Sequence, residues 1–225
     1  MSENNPNRLS PEEIKQAVST SVEQGVDIRE KVRNLTLQAL KIRKLSPDEI
    51  KPVISAVTEG ISLGAAKRVG EVKSALTEGL AGLDEALTKA AEATRLALQQ
   101  LTAQAKDFSE SDLSWALVSL KRLEEEFLDT VSVVADSATG RIKQEMKDLV
   151  VHARRAGTDT GAKVAETVST FGNKVSATLH EGKAVGKDAA REMSARLASL
   201  ASGIFAGMAD ALHEKAEQLK GKSGE

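Results

Sequence analysis

The sequence predicts an all-α protein: an elongated antiparallel bundle or coiled coil of three long helices, with two short helices at its N-terminal end. Three observations predict this class. Apolar residues recur at helical spacing over most of the 225 residues. The 4 prolines all fall in the first quarter of the chain, so none interrupts the remainder. Aromatic residues make up 2% of the chain, which leaves few of the large side chains that usually anchor compact mixed cores.

Residues 10–44 are predicted to form the two short helices. The phrase LSPEEIKQAV offers an N-cap at Ser10, a proline at the first helical position and a glutamate at Glu13, which completes a capping box. Gly25 ends this first helix, and the stretch VDIREKVRNLTLQALKIRK forms the second, which closes on basic residues. The polar residues 1–9 are predicted to be disordered.

A second copy of the phrase, LSPDEIKPVI, opens the first long helix, predicted over about 47–106. From Ile50 onward the apolar residues step by four, three and four positions, so that equivalent residues lie 11 apart. Eleven residues over three turns match the natural helix closely, so the stripe stays nearly straight. The stripe includes Ile50, Ile54, Val57, Ile61, Ala65, Val69, Val72, Leu76, Leu80, Leu83, Leu87, Ala91 and Leu98.

Two further long helices are predicted over about 110–156 and 159–219, separated by the stretch AGTDTGAK, and residues 221–225 are expected to be disordered. Each helix has an apolar stripe that water would otherwise cover, so the three fold back on one another as one bundle over 45–220. A thin bundle leaves part of each stripe uncovered, which favours a homo-oligomer.

Charge and cysteine content exclude several function classes. The 31 basic and 33 acidic residues are interspersed, which argues against a nucleic-acid surface, and the pairs Lys67-Arg68 and Arg154-Arg155 are predicted to lie on solvated helix faces. The absence of cysteine excludes disulfides, thiolate catalysis and zinc-thiolate sites. The N-terminus lacks a signal peptide, and the longest weakly charged run, 197–209, is too short to span a bilayer. We therefore expect a soluble cytoplasmic protein without a transmembrane segment.

No motif predicts catalysis. His152, His180 and His213 lie far apart without the spacing of metal ligands, and the chain has no nucleophile elbow or dinucleotide fingerprint. The GTDTG stretch lacks the preceding strand and the lysine of a phosphate loop. We therefore predict no enzyme, and no catalytic, cofactor-binding or metal-binding residue.

Glycine pairs spaced four apart have two explanations. Inside a helix each glycine costs about 1 kcal/mol relative to alanine, so it needs a reason. Either the pairs allow helix backbones to approach closely, or they weaken helices that form on an apolar surface. The pairs are Gly60/Gly64, Gly157/Gly161, Gly182/Gly186 and Gly203/Gly207.

The stretch ARLASLASGIFAGMADALHEKAEQL is the one best suited to an apolar surface. Its large apolar residues gather on one broad face surrounded by Ser, Ala and Gly, although a buried bundle helix would show the same pattern. The predicted contact residues are Leu197, Leu200, Ile204, Phe205, Met208 and Leu212, supported by Val164, Val168, Phe171 and Val175.

The phrases DIREKVRNLTLQAL, TEGISLGAAKR, GLDEALTKAAEATRLAL and HARRAGTDTGAKVA resemble a bacterial all-helical family of unknown function over nearly the whole length. This resemblance implies a fold and no activity. In composition and 11-residue period, residues 164–219 are also similar to phasins, which coat polyhydroxyalkanoate granules, and to 11-mer surface binders such as apolipoproteins and perilipins. The Ala-Lys-Pro-rich tail of some phasins is absent.

Three functional hypotheses follow. The first is a non-enzymatic protein on an apolar surface, most concretely a phasin-like coat of a polyester granule or a lipid surface. The second is a self-associating coiled-coil scaffold that binds a protein partner, in which the same stripes are permanently buried. The third is an adaptor that recognises a protein through the loops AGTDTG or KLSPDEIKP, for which simple caps and turns are the alternative explanation.

Overall fold

The computed structural model describes residues 9–41, 43, 46–104, 110–175, 195 and 197–211, all of them helix, turn or loop without a strand. The all-α class is therefore confirmed. We number the helices α1 to α7 and call residues 197–211, which are also helical, the C-terminal segment. The helices are α1 (Pro11–Gln24), α2 (Ile28–Lys41), α3 (Pro47–Ala66), α4 (Val72–Gln104), α5 (Glu110–Ser137), α6 (Gly140–Ala156) and α7 (Asp159–Val175).

The two short N-terminal helices are confirmed, with the predicted cap at the start of α1. Ser10 Oγ accepts the Glu13 N–H at 3.3 Å, and Glu13 Oε2 accepts the Ser10 N–H at 2.8 Å. Gly25 ends α1 in the left-handed conformation, at φ 75°. The second phrase also starts a helix, but the Ser46 side chain makes no capping hydrogen bond, so the two copies are not equivalent.

The predicted helix over 47–106 is interrupted. α3 ends at Ala66 and α4 begins at Val72, with Gly70 at φ +87° in the turn between them. Val69, which the stripe placed among the buried residues, is 97% exposed, whereas Val72 is 8% exposed. Residues of the 11-residue period are nevertheless buried on both sides of the turn. This is possible because α3 and α4 pack against each other instead of forming one straight helix.

The other two predicted long helices also differ from the helices in the structure. Residues 110–156 form α5 and α6, with a break at 138–139 and Gly140 at φ +56°. Ion pairs between Asp136 and Lys147 at 2.7 Å and between Asp129 and Arg154 at 2.6 Å show that α5 and α6 form an antiparallel hairpin. Of the predicted helix over 159–219, α7 and the C-terminal segment are helical, and residues 176–194 and 212–219 lie outside the described residues. The predicted disordered ends lie outside them too, except for Leu9, whose carbonyl accepts a hydrogen bond from Arg43 at 2.7 Å.

Helical hairpins stack on one another. α1 and α3 run parallel, because Lys15 pairs with Glu59 at 3.6 Å and, further along both helices, Glu23 pairs with Lys67 at 2.7 Å. The hairpin α1–α2 therefore lies on the hairpin α3–α4, with α1 on α3 and α2 on α4. The hairpin α5–α6 adds to the other side through contacts of α5 with α3.

The core is built mainly from aliphatic side chains around α4. This helix contacts α2, α3, α5, α6 and α7, and it faces them with small residues that allow close packing. This explains how a chain with so few aromatic residues buries a core. The fully or nearly fully buried alanines of α4 are Ala75, Ala86, Ala90, Ala91, Ala93 and Ala97.

Candidate functional site

The start of α7 is fixed by a side chain of α4. The Asp84 carboxylate accepts the backbone N–H of Asp159 at 2.9 Å and that of Thr160 at 3.1 Å. The Thr160 hydroxyl, which is fully buried with its residue, donates to the Asp84 carbonyl at 3.1 Å and lies 3.3 Å from the Thr88 hydroxyl. A helix N-terminus leaves unpaired N–H groups, and here a residue of another helix satisfies two of them.

α5 contributes the second half of this attachment. Thr158 Oγ1 accepts the Gly161 N–H at 2.8 Å, as an N-cap does, and donates to Glu124 Oε1 at 3.0 Å. A Cβ at Gly161 would collide with the Glu124 carboxylate. The AGTDTG stretch is thus a cap that docks α7 between α4 and α5, which supports the explanation of this loop as caps and turns.

The predicted contact residues of α7 face the bundle. Val164 is 5% exposed and Phe171 is 3% exposed, and Val168 is half-buried beside them. Phe171 lies in a cluster with Leu98 of α4 and Leu117 of α5. Val175 ends α7, and its side chain lies outside the described residues.

The predicted contact residues of the C-terminal segment are covered as well. Phe205 is fully buried and Leu197 is 7% exposed, while the other predicted residues that are described, Leu200, Ile204 and Met208, are half-buried and pack against the same core. Leu212 lies outside the described residues. The structure therefore brings these side chains together against the bundle, with Leu197 and Phe205 buried and the other described ones partly exposed.

The packing of the C-terminal segment leaves a gap. A cavity of about 50 Å³ lies between the segment and helices α3, α4 and α5, next to Leu197 and Ala201. Further along the segment, Asp210 pairs with Lys41 of α2.

The glycine pairs differ in how closely a neighbouring helix approaches them. A Cβ at Gly60 would lie 2.6 Å from the Lys15 carbonyl oxygen, and one at Gly64 would lie 2.5 Å from the Ser19 carbonyl oxygen, so this pair allows α1 and α3 to approach closely. Apart from the adjacent residues and the backbone of the same helix, no atom of the described chain comes within 4 Å of a Cβ built at Gly203 or Gly207. The pair Gly182/Gly186 lies outside the described residues, and Gly157 is in a turn at φ +86° rather than in a helix.

A groove of about 230 Å³ adjoins the docked end of α7. Its floor is apolar, with Leu80 of α4, Phe127 of α5 and Leu149 of α6, and its rim includes Asp84 and Asp159. Two acidic residues beside an apolar floor suit a ligand that presents apolar groups next to a positive charge.

A larger cleft of about 590 Å³ lies where the turns of the first two hairpins meet. The sequence predicts a solvated helix face for Lys67 and Arg68, but Arg68 lies in the α3–α4 turn, donates to the Glu23 carbonyl at 3.1 Å and pairs with Glu71. Its side chain is only 20% exposed, because it joins the two turns. This role depends on the turn that the sequence did not reveal.

Residues 4–214 match the model of a family described as "Family of unknown function (DUF6781)". The chain belongs to the DUF6781 family. This confirms the resemblance to an uncharacterised helical family. No curated protein and no solved structure matches the chain.

The acid-base groups of this DUF6781 protein with shifted pKa values lie on its surface. The pKa of Glu13 is lowered by the hydrogen bonds from Ser10, and that of Asp136 by the hydrogen bond and charge of Lys147. The pKa of Lys51 is raised by the hydrogen bond and charge of Glu126. Each of these shifts is caused by an ion pair or a helix cap.

Over the described ranges of this DUF6781 protein, no three His, Asp or Glu side chains are grouped as metal ligands. His152 is exposed at the end of α6, and His180 and His213 lie outside those ranges. Among the described helices none has the length and apolar character needed to cross a membrane.

Proposed function

We propose that this DUF6781 protein is a non-enzymatic helical scaffold that binds a protein partner while its own apolar stripes stay in its core. The observation that carries the proposal is the burial of the predicted contact residues: Phe205 is fully buried, and Phe171 is 3% exposed. Side chains buried to this degree each stabilise the fold by about 1.5–3 kcal/mol, which opposes their transfer to another surface. The proposal keeps the cytoplasmic location and the homo-oligomer expected from the sequence.

The groove between α4, α5 and α6 is the binding surface that we propose for the partner. It offers apolar contact at Leu80 and Leu149, both half-buried, and negative charge at Asp84 and Asp159. An amphipathic segment with apolar residues next to Lys or Arg complements both features.

Aspartate substitutions in the C-terminal segment test whether the stripe is part of the permanent core. Ile204→Asp combined with Met208→Asp places two charges on the half-buried face, so the scaffold proposal expects loss of cooperative thermal unfolding. Ala211→Asp, on the exposed side of the same segment, is the matched control and should melt like the parent. If the double variant stays folded and cooperative but loses binding to granules or liposomes, the scaffold proposal is wrong.

Paired substitutions on α6 test the groove. Leu149→Lys places a positive charge in the groove, whereas Val151→Lys changes a side chain that is 56% exposed. A stoichiometric complex purified from native cells should be lost with Leu149→Lys and kept with Val151→Lys, with both variants folded. Equal recovery of the complex by both variants would show that the partner binds elsewhere.

A second candidate function is association with an apolar surface after release of the C-terminal segment, with a phasin-like granule coat as its most concrete form. The cavity beneath Leu197 and Ala201 favours it, because incomplete packing lowers the cost of separating the segment from the bundle. In this case the predicted contact residues become accessible only after the C-terminal segment has separated from the bundle.

A covalent lock distinguishes the two functions. The chain has no cysteine, so Lys41→Cys with Asp210→Cys allows a single bismaleimide bridge across an existing ion pair. If release is required, bridged protein should no longer float with liposomes or polyester granules, while the unbridged variant still does. Bridged protein that floats equally well would exclude release of this segment as the mechanism.

A further inference from the structure

The cavity beneath the C-terminal segment has the features of a small ligand site, independent of the scaffold proposal. We propose that it binds the chain end of a short aliphatic carboxylate, whose charged group lies at the rim next to Arg122. Three observations support this assignment: the lining, the volume and the charge of the rim.

The lining is aliphatic and comes from four parts of the fold. Ile50 of α3, Ala90 of α4 and Leu120 of α5 line it, and Leu197 and Ala201 close it from the C-terminal segment. The Thr94 hydroxyl donates to the Ala90 carbonyl at 2.9 Å, so the threonine side chain already has its hydrogen-bond acceptor. An apolar lining of this kind accepts apolar ligands.

The volume sets the size of the ligand. At about 50 Å³ the cavity is roughly one third of an engineered cavity that binds benzene, so it holds a chain end of about two to four carbons. The site is partly open, which leaves room for a longer chain to extend toward the rim. A protein helix is far too wide for it, and an aromatic ring exceeds its volume.

The rim favours an anionic head group. It contains two cations and one anion: Lys51, Arg122 and Glu126. Lys51 is paired with Glu126 at 2.8 Å, whereas Arg122 forms no ion pair with a carboxylate among the residues that the structure describes. An exposed guanidinium next to an apolar cavity complements a carboxylate, which it can bind through two parallel hydrogen bonds.

The test is a titration of the full-length protein with acetate, butanoate, hexanoate and octanoate at constant ionic strength, followed by methyl NMR and by Tm. We expect saturable binding with shifts at the Ile50, Leu120 and Leu123 methyl groups. Affinity should rise about threefold to fourfold for each methylene buried and level off when the cavity is full. Shifts spread over the surface without saturation, or confined to other methyl groups, would overturn the proposal.

Two variants separate the apolar and the charged contributions. Ala201→Leu fills the cavity and should abolish hexanoate binding, while Ala66→Leu, at an exposed position, should bind like the parent. Arg122→Gln should weaken hexanoate at least tenfold and leave hexanol unaffected, with Arg155→Gln, at an exposed position of α6, as its control. If Ala201→Leu does not fold, the methyl shifts and the comparison of Arg122→Gln with the parent still test whether the carboxylate binds at this cavity. Equal affinity of Arg122→Gln and the parent for hexanoate would contradict the assigned head-group site.

Discussion

Asp84 caps a helix that begins 75 residues later: its carboxylate lies 2.9 Å from the backbone nitrogen of Asp159. We expect Asp84→Ala to lower the free energy of unfolding by about 1–2 kcal/mol, because it leaves N–H groups of α7 without an acceptor. Asp84→Asn keeps one acceptor oxygen and should cost less. Urea denaturation measures both, and Asp148→Ala on the exposed side of α6 is the control. Equal stability of Asp84→Ala and the control would contradict this role.

Glycine substitutions should have opposite effects at two glycine pairs. Gly64→Ala places a Cβ 2.5 Å from the Ser19 carbonyl oxygen, so it should destabilise the protein by about 1–3 kcal/mol despite the better helix propensity of alanine. Gly203→Ala meets no atom within 4 Å and should stabilise it by up to about 1 kcal/mol. Denaturant midpoints of the two variants provide the comparison. A stabilising Gly64→Ala would mean that α1 and α3 are not in close contact.

The interruption between α3 and α4 makes two neighbouring valines differ. Val69→Asp changes a side chain that is 97% exposed and should shift stability by less than about 0.5 kcal/mol. Val72→Asp places a charge at a position that is 8% exposed and should destabilise the fold severely. Thermal unfolding by circular dichroism tests both. Similar large losses for both valines would instead support the continuous helix.

Phe205 should behave as a core residue. It is fully buried, so Phe205→Ala is expected to cost about 3–5 kcal/mol through lost burial and the cavity that it leaves. Val133→Ala, at a position that is 66% exposed, is the matched truncation and should be nearly neutral. Hydrogen exchange of residues 197–211 should accelerate in the first variant alone. A neutral Phe205→Ala would show that the C-terminal segment is detached in solution.

Acid should remove the contribution of the α1 capping box. Hydrogen bonds from Ser10 hold the pKa of Glu13 below its ordinary value of 4.5. A lowered pKa in the folded state stabilises the fold above the ordinary value, and the stabilisation is lost as pH falls through the folded-state pKa. The Tm difference between the parent and Glu13→Ala should therefore be larger at pH 7 than in acid below the folded-state pKa of Glu13. Glu125→Ala, on the exposed side of α5, controls for general charge effects. A Tm difference that persists unchanged in acid would show that the ionised carboxylate of Glu13 does not contribute to the stability of the capping box.

The docking residues of α7 show the limit of sequence analysis. The AGTDTG stretch was recognisable as a helix boundary, but nothing in its sequence indicates that Asp84 and Glu124 are its partners, because these lie on other helices. The predicted contact stripe was likewise found as a group of residues, yet the same pattern suits a buried and a surface-bound helix. Its burial depended on which helices came to lie beside it.

The sequence by itself determined the all-α class, the start of α1 and its end at Gly25, the capping box and the apolar residues that need cover. These follow from contacts within one or two helical turns, which neighbouring residues fix. Only the tertiary structure decided that the predicted long helices turn at 67–71 and 138–139, and that Phe205 faces the core. The physical reason is that an apolar stripe with an 11-residue period looks the same in a straight helix and in a hairpin. The choice between them depends on the surface that distant segments bury together.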